Sequence, residues 1–482
     1  MTPRHVIIVG GGITGLTVAH RLLSATRKGE ARRPVTVTLL EERAQLGGSI
    51  RTERQDGFVI DGGPDAWVVA KPQASQLCRE LGLGDRLVET VERNRRVYVR
   101  RDGALHPLPE GLVLTVPTRV LPFARTPLLS WSAKARMALD LVIPRRRGDQ
   151  DESIGSFIRR RLGHEALEQL AEPLLGGIYA GDVDALSIRS TFPQLTQMEE
   201  KHGSMILGAL AQRRDRGDVG GPPPSAFHSL LGGVGELVEV IARAVQRAGG
   251  EIRTGAAVQS IVPAATSPGV SGAPRFAVHV VGAPEPLLAE DVVVATPAYA
   301  AADALSDLDL DIAAALRLVP YLSTATVLLG YRRADIAHPL DAVGLIVPRP
   351  ERRRALAATF VSSKWPGRAP EDSALLRVFL GGHRDPGTVA QGQCDDAIAA
   401  IAREELAGLL GIRARPVLSR VFRFDRASVQ PVLGHAERVR ALRERAARHP
   451  GLHFAGAAFD GVGIPDCIRQ ATDVARVIAG AA

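Results

Sequence analysis

The chain has only three cysteines among 482 residues, Cys78, Cys394 and Cys467. They are odd in number and far apart, without the spacing of a metal site or a disulfide framework, so no metal is expected and the compartment is read as reducing and cytoplasmic. Aromatic residues amount to 4%, and no basic run carries interleaved aromatics, which argues against a nucleic-acid partner. No stretch of about 18 consecutive apolar residues occurs, so no membrane-spanning helix is expected. A first strand predicted from about His5 leaves no room ahead of it for a secretory signal.

With 45% hydrophobic and 23% charged residues, the composition is that of a soluble globular protein, and the length suggests about two to four domains. The net charge of +8 comes from scattered residues, mostly arginine. It suits small carboxylated substrates, anionic lipid headgroups or simply a solvated surface.

Residues 5–48 read as a βαβ unit: Val6-Ile7-Ile8-Val9, a glycine turn, an amphipathic helix through Leu23, then Val35 to Leu40. From about 107 to 212 the pattern is helical, with Ile154, Phe157, Ile158 and Leu162, and Met137 and Leu141, at spacings of three and four. Arg213–Ser225 and Pro263–Pro274 read as exposed connections. A helix near Leu237–Val245 and strands near Glu251–Arg253 and Val292–Val294 return to the α/β pattern, so the first domain is assembled from distant pieces.

Gly10-Gly11-Gly12-Ile13-Thr14-Gly15 matches G-x-G-x-x-G between a strand and a helix. The first glycine permits the tight turn, the second lets the backbone approach a pyrophosphate, and the third allows close helix packing, while the helix N-terminus offers free N–H groups. Glu41, after the second strand, is placed to accept from ribose hydroxyls, with Glu42 beside it. NAD and FAD share this fingerprint. Leu46-Gly47-Gly48-Ser49 and Asp61-Gly62-Gly63-Pro64-Asp65-Ala66 are tight turns that would lie along an extended dinucleotide.

Together these elements resemble the flavin-containing amine oxidase and protoporphyrinogen oxidase superfamily. The resemblance extends to Phe454–Ile468 and is most specific in Gly176–Ser187, Asn94-Arg95-Arg96-Val97-Tyr98 and Ser362-Ser363-Lys364-Trp365-Pro366, which look like the protoporphyrinogen oxidase family with its coproporphyrinogen III oxidases. It implies a multi-domain α/β fold: a Rossmann-like FAD domain of the glutathione reductase/amine oxidase type (1–85, 227–302 and 416–482), a mixed-sheet substrate domain (86–106, 191–226 and 303–415) and a helical domain (107–190). It further implies FAD, held by Gly10, Gly11, Gly12, Ile13, Thr14, Gly15, Glu41, Glu42, Gly47, Gly48, Ser49, Gly63, Pro64, Asp65, Ala66, Val258, Ala457, Val462, Gly463 and Ile464. The substrate is expected against Arg95, Gly177, Ile178, Ile346 and Trp365, with the Arg95 fork on a propionate and Arg96 as the neighbouring alternative. Ser49, Gln45 and Trp365 depart from residues common in the family.

The implied reaction is the six-electron oxidation of protoporphyrinogen IX in porphyrin and heme biosynthesis, with dioxygen as acceptor and peroxide released. Coproporphyrinogen III is the alternative substrate, and a flavin amine oxidase, a desaturase or a non-catalytic nucleotide binder are more distant readings. No catalytic acid or base is apparent. Arg349, Arg352, Arg353, Arg354 and Arg368 are left open between pocket and solvent. The resemblance also allows a homodimer and peripheral membrane contact, the latter through Gly111–Val142, where apolar runs alternate with Arg119, Arg125, Lys134 and Arg136.

Overall fold

The fold is seen in a computed structural model that describes residues 3–215, 225–265 and 273–480. Most of the two expected connections, 213–225 and 263–274, lies outside the described residues. The two principal sheets are built from β1 (Arg4–Val9), β2 (Val35–Glu41), β3 (Val97–Arg101), β4 (Ala104–Pro107), β5 (Glu251–Thr254), β6 (Asp291–Val294), β7 (Tyr321–Arg332), β8 (Gly344–Ile346), β9 (Ala357–Phe360), β10 (Ser373–Gly381), β11 (Leu418–Val429) and β12 (Leu452–Phe454).

The first sheet is wholly parallel, in the order β5-β2-β1-β6-β12. Its central strand β1 is covered on both faces, which explains why Val6, Ile7 and Ile8 form an unbroken apolar run and are fully buried. One face packs against α1 (Ile13–Lys28), the helix Gly235–Arg247 and α2 (Ile464–Ala479), through Leu16, Leu22, Ile241 and Ile468. Each such side chain contributes about 1.5–3 kcal/mol by leaving water. The other face packs against the helices Leu310–Arg317 and His435–Ala446 through Ile312, Leu316 and Val439. The result is a doubly wound layer built from the beginning, middle and end of the chain.

The second sheet is mixed, in the order β11-β7-β10-β9-β8-β3-β4, with β8 and β3 its one parallel pair. Alternation along this pair sends Val99 and Ile346 towards the helical layer and Tyr98 and Leu345 into the opposite cluster. Strand β11 corrects the expected division, because residues 418–429, assigned above to the nucleotide piece, pair with β7 from Tyr321 to Gly330.

The helical layer includes the helices Val120–Arg125, Trp131–Ala138 and Ile154–Arg161 and a π-helix, Leu167–Gly176, with Pro173 inside it. The helices Pro193–His202 and Met205–Asp215, expected in the substrate domain, also belong here. Leu195, Met198 and Met205 join Phe157 and Ile158 in one cluster. The fully buried Arg161 fastens this corner, 2.5 Å from Asp140 and bonded to the Gly203 carbonyl. Met137 is buried as its spacing predicts, but Leu141 is exposed, because the helix gives way to a 3-10 turn at Leu139 and the phase is lost.

Candidate active site

The turn from β1 to α1 divides its glycines by role. A Cβ on Gly10 would lie 2.8 Å from the Ala295 carbonyl oxygen, and one on Gly15 2.0 Å from the Gly10 oxygen, so both are required by packing. A Cβ on Gly12 meets nothing within 4 Å, and one on Gly48 meets only the Gly12 Cα at 3.6 Å. Between these two glycines lies open space, lined by backbone. A parallel bridge, Gly12 to Gly47, and the bond from Gly47 N to the Gly11 carbonyl hold the loops side by side. At Gly63 a Cβ would strike the Ser49 carbonyl at 1.9 Å, which stacks the Asp61–Ala66 turn directly on the paired-glycine loop.

Both helices that point into this space begin without a side-chain cap, α1 at Gly12 and α2 at Gly463, and the first-turn N–H groups of α1, with those of Ile464 and Asp466 on either side of Pro465 in α2, remain available to an anion. Gly456 approaches Thr14 Oγ1 to 3.9 Å from the position of its Cβ, so the closing segment meets the opening loop. Ile13, Thr14 and Ile464 are buried beneath it, Val462 is half-buried, and Ala457 is exposed. Glu41 is buried, and its carboxylate accepts from Gly11 N at 2.7 Å and Arg43 N at 3.0 Å. Two oxygens offer about four acceptor sites, so this grip leaves capacity for ribose hydroxyls. Glu42 is exposed. Val258 begins a strand just after Ala256, whose N–H donates to the Glu41 carbonyl, which places it at the adenosine end. The residues thus fit FAD: open glycine backbone and two helix N-termini for the diphosphate, and a buried carboxylate for the ribose. Bound there, FAD supplies the two-electron redox chemistry and the chain supplies position and shielding.

A side chain not singled out from the sequence adds to this fit. Arg51 is half-buried beside the paired glycines, and burial, then Arg43, holds its guanidinium below its ordinary pKa. An anion between two such cations relieves their repulsion.

A second concavity adjoins the helical layer, a cleft of about 700 Å³ lined by Arg349, Arg352, Arg353, Arg354, Arg384 and Glu168. A smaller, partly open hollow that shares Arg349 and Arg384 with it lies between Glu172, Gly176 and Gly177. Cβ atoms on Gly176 and Gly181 would strike Val183 and Gln430, whereas one on Gly177 meets nothing. The Gly176–Ser187 segment is therefore both a packed corner and, at Gly177, an open wall. Ile178 beside it is 62% exposed.

Ile346 is half-buried against the helical cluster. Arg95 lies at the other end of the same strand pair, 3.4 Å from Glu89, and does not line the arginine cleft. Trp365 departs from expectation. It is fully buried among Phe58, Ile60 and Leu328, and its Nε1 donates to Asp65 at 2.9 Å, so it has no surface to offer a tetrapyrrole. Arg368 is likewise fully buried, paired with Asp61.

Glu172 and Arg384 escaped the sequence reading. Glu172 occupies the π-helix, a distortion frequent at functional sites, and burial raises its carboxyl above the usual range despite Arg384 and Arg349. Arg384 is lowered, first by burial and, against the pull of Glu172, by Arg349.

The sequence profile of the flavin containing amine oxidoreductases matches residues 13–479. The coproporphyrinogen III oxidase of Bacillus subtilis (strain 168) is 36% identical over 97% of this chain and 96% of its own length. That of Propionibacterium freudenreichii is 32% identical over 99% and 91%. A crystal structure of a protein from Exiguobacterium sp. 255-15 superposes with a TM-score of 0.83 at 32% identity, covering 99% of both chains. The chain belongs to the flavin-containing amine oxidoreductase family and is an FAD-dependent oxidase.

Proposed function

We propose that the chain oxidises coproporphyrinogen III to coproporphyrin III, a step of porphyrin and heme biosynthesis. Three two-electron oxidations remove six electrons and six protons from the macrocycle, and three dioxygen molecules leave as hydrogen peroxide. The observation that carries this reading is the arginine-lined cleft, which shares Arg349 and Arg384 with the hollow at Gly177. Protoporphyrinogen IX, the first reading of the sequence, has two carboxylates, whereas coproporphyrinogen III has four, and guanidinium groups are the side chains best matched to carboxylates. The two relatives named for coproporphyrinogen III point the same way. In this reading Ile346 and Gly177 wall the macrocycle, Arg95 orients one edge, and the α1 and α2 N-termini hold the cofactor's diphosphate.

The test offers both porphyrinogens to the flavin-loaded protein under matched conditions. A kcat/KM at least about tenfold higher for coproporphyrinogen III, about 1.4 kcal/mol of discrimination, is expected. Preference for protoporphyrinogen IX overturns the substrate, and failure of both compounds to reduce the flavin overturns the reaction.

We also propose that the helical layer rests on an anionic membrane surface. Val120, Leu121, Trp131 and Val142 stand exposed on neighbouring helices and turns, with Arg119 and Lys134 among them. Among the described residues no helix is long and apolar enough to cross a membrane, which leaves contact in the interface plane.

A further inference from the structure

We propose that Arg349 and Arg384 form a carboxylate clamp, with Glu172 as its built-in competitor, that selects macrocycles carrying propionates on the edge remote from Arg95. The inference deepens the substrate reading above and rests on it.

The charges of the cleft do not cancel. Arg353 lies 3.4 Å from Glu405, Arg354 bonds Asp385 at 2.8 Å, and Glu168 faces His164 at 3.3 Å. Among the described residues Arg349 makes no side-chain hydrogen bond or ion pair. Arg384 is fixed by a 2.7 Å bond from Nη1 to the Val347 carbonyl, and its Nη2 stands 3.9 Å from Glu172. Two guanidinium groups therefore share one carboxylate, which is too far from Arg384 to bond it. The hollow between them opens on Gly177 and holds a net positive charge behind partly buried walls, where an entering carboxylate is attracted more strongly than in water.

The position of the clamp relative to Arg95 follows from strand register. Strands β3 and β8 run parallel with Val97 opposite Gly344 and Val99 opposite Ile346. Arg95 precedes this pair and Arg349 follows it, so the two are roughly 20 Å apart along the strands at about 3.3 Å per residue. Half-buried Ile346 lies between them, with the fully buried Val99 packed beneath it in the helical cluster. Long arginine side chains at both ends match a flat apolar ring with carboxylates on opposite edges. On protoporphyrinogen IX the remote edge carries vinyl groups, which leave the clamp unsatisfied.

The test uses the flavin-loaded full chain and the variants Arg349→Gln, Arg384→Lys and Glu172→Gln. Turnover of both porphyrinogens is measured, together with equilibrium binding of the product coproporphyrin III by its fluorescence. Arg349→Gln should lower kcat/KM for coproporphyrinogen III about tenfold more than for protoporphyrinogen IX, in line with loss of one charge-assisted bond. Glu172→Gln should tighten coproporphyrin III binding severalfold, an effect that simple loss of structure cannot produce. Equal losses on both substrates, or coproporphyrin III binding unmoved by Arg349→Gln and Arg384→Lys, overturn the clamp. Weakened binding in Glu172→Gln overturns the competitor. A wild-type preference for protoporphyrinogen IX defeats the substrate reading separately, since the binding measurements still decide the clamp.

Discussion

Arg368 and Asp61 form an ion pair 3.1 Å apart in which neither side chain reaches solvent. Asp61 also accepts from Thr52 Oγ1 and from Val234 N, and Arg368 donates to Ser229 Oγ and the Leu230 carbonyl. The pair joins the loop after β9 to the turn that carries Gly63. Burial raises the Asp61 carboxyl above the usual range, and Arg368, followed by the bonds from Thr52 and Val234, opposes that shift. Removing one partner of a buried pair costs about 3–5 kcal/mol. Arg368→Met should therefore lower stability strongly, and more at pH 8 than at pH 5. A raised folded-state pKa gives stability that is present at low pH and lost as pH rises. Denaturant unfolding at the two pH values measures this, and adding Asp61→Asn to Arg368→Met should flatten the difference.

The division of labour among the loop glycines separates folding from cofactor binding. Gly12→Ala places its methyl in open space and should leave apoprotein unfolding nearly unchanged while weakening FAD binding by at least about tenfold, or 1.4 kcal/mol. Gly15→Ala drives its methyl into the Gly10 carbonyl and should lower the apoprotein Tm itself. Calorimetry of the apoprotein and flavin titration together distinguish the two. Equal behaviour of both variants contradicts the assignment.

Trp365 supplies a sharper contrast. A pocket residue trimmed to Phe alters KM, whereas a buried donor trimmed to Phe leaves Asp65 short of one bond. Asp65 is held well below the usual carboxylate range, against its burial, by Lys364 and Arg377 and by bonds from Lys364 and Trp365. Trp365→Phe should thus cost about 1–3 kcal/mol of stability with KM for porphyrinogen unchanged. A shifted KM at unchanged stability returns Trp365 to the pocket.

What the sequence showed and what it hid differ in range along the chain. Gly10–Gly15, Glu41 and the opening of α2 were legible because a turn and the helix it starts are encoded within a few residues. Glu172 and Arg384 were not, because nothing local distinguishes a glutamate in a π-helix from one on a solvated face. Their chemistry arises only when β8, β10 and the helical layer converge. Trp365 and Arg368 were misread or left open for the same reason: a large aromatic and an arginine suit a pocket, yet Asp65 and Asp61 claim their polar atoms. The 418–429 boundary was missed because a strand's sheet is decided by its pairing partner, here β7.

The exposed face of the helical layer makes the last expectation. Trp131 is 74% exposed and Val120 85%, and Lys134 sits 4.4 Å over the Trp131 ring while donating to the Ala124 and Thr126 carbonyls. An aromatic with a cation at its face, flanked by apolar side chains and arginine, is suited to the boundary between acyl chains and anionic headgroups. Each side chain that inserts adds about 1.5–3 kcal/mol, and nearby cations add about 1 kcal/mol each near a negative surface. The flavin-loaded protein should therefore sediment with vesicles rich in phosphatidylglycerol and much less with neutral phosphatidylcholine vesicles. Val120→Ser combined with Trp131→Ser should abolish sedimentation without changing turnover of porphyrinogen in detergent-free buffer. Sedimentation that survives both substitutions, or that never occurs, refutes this surface as the point of contact.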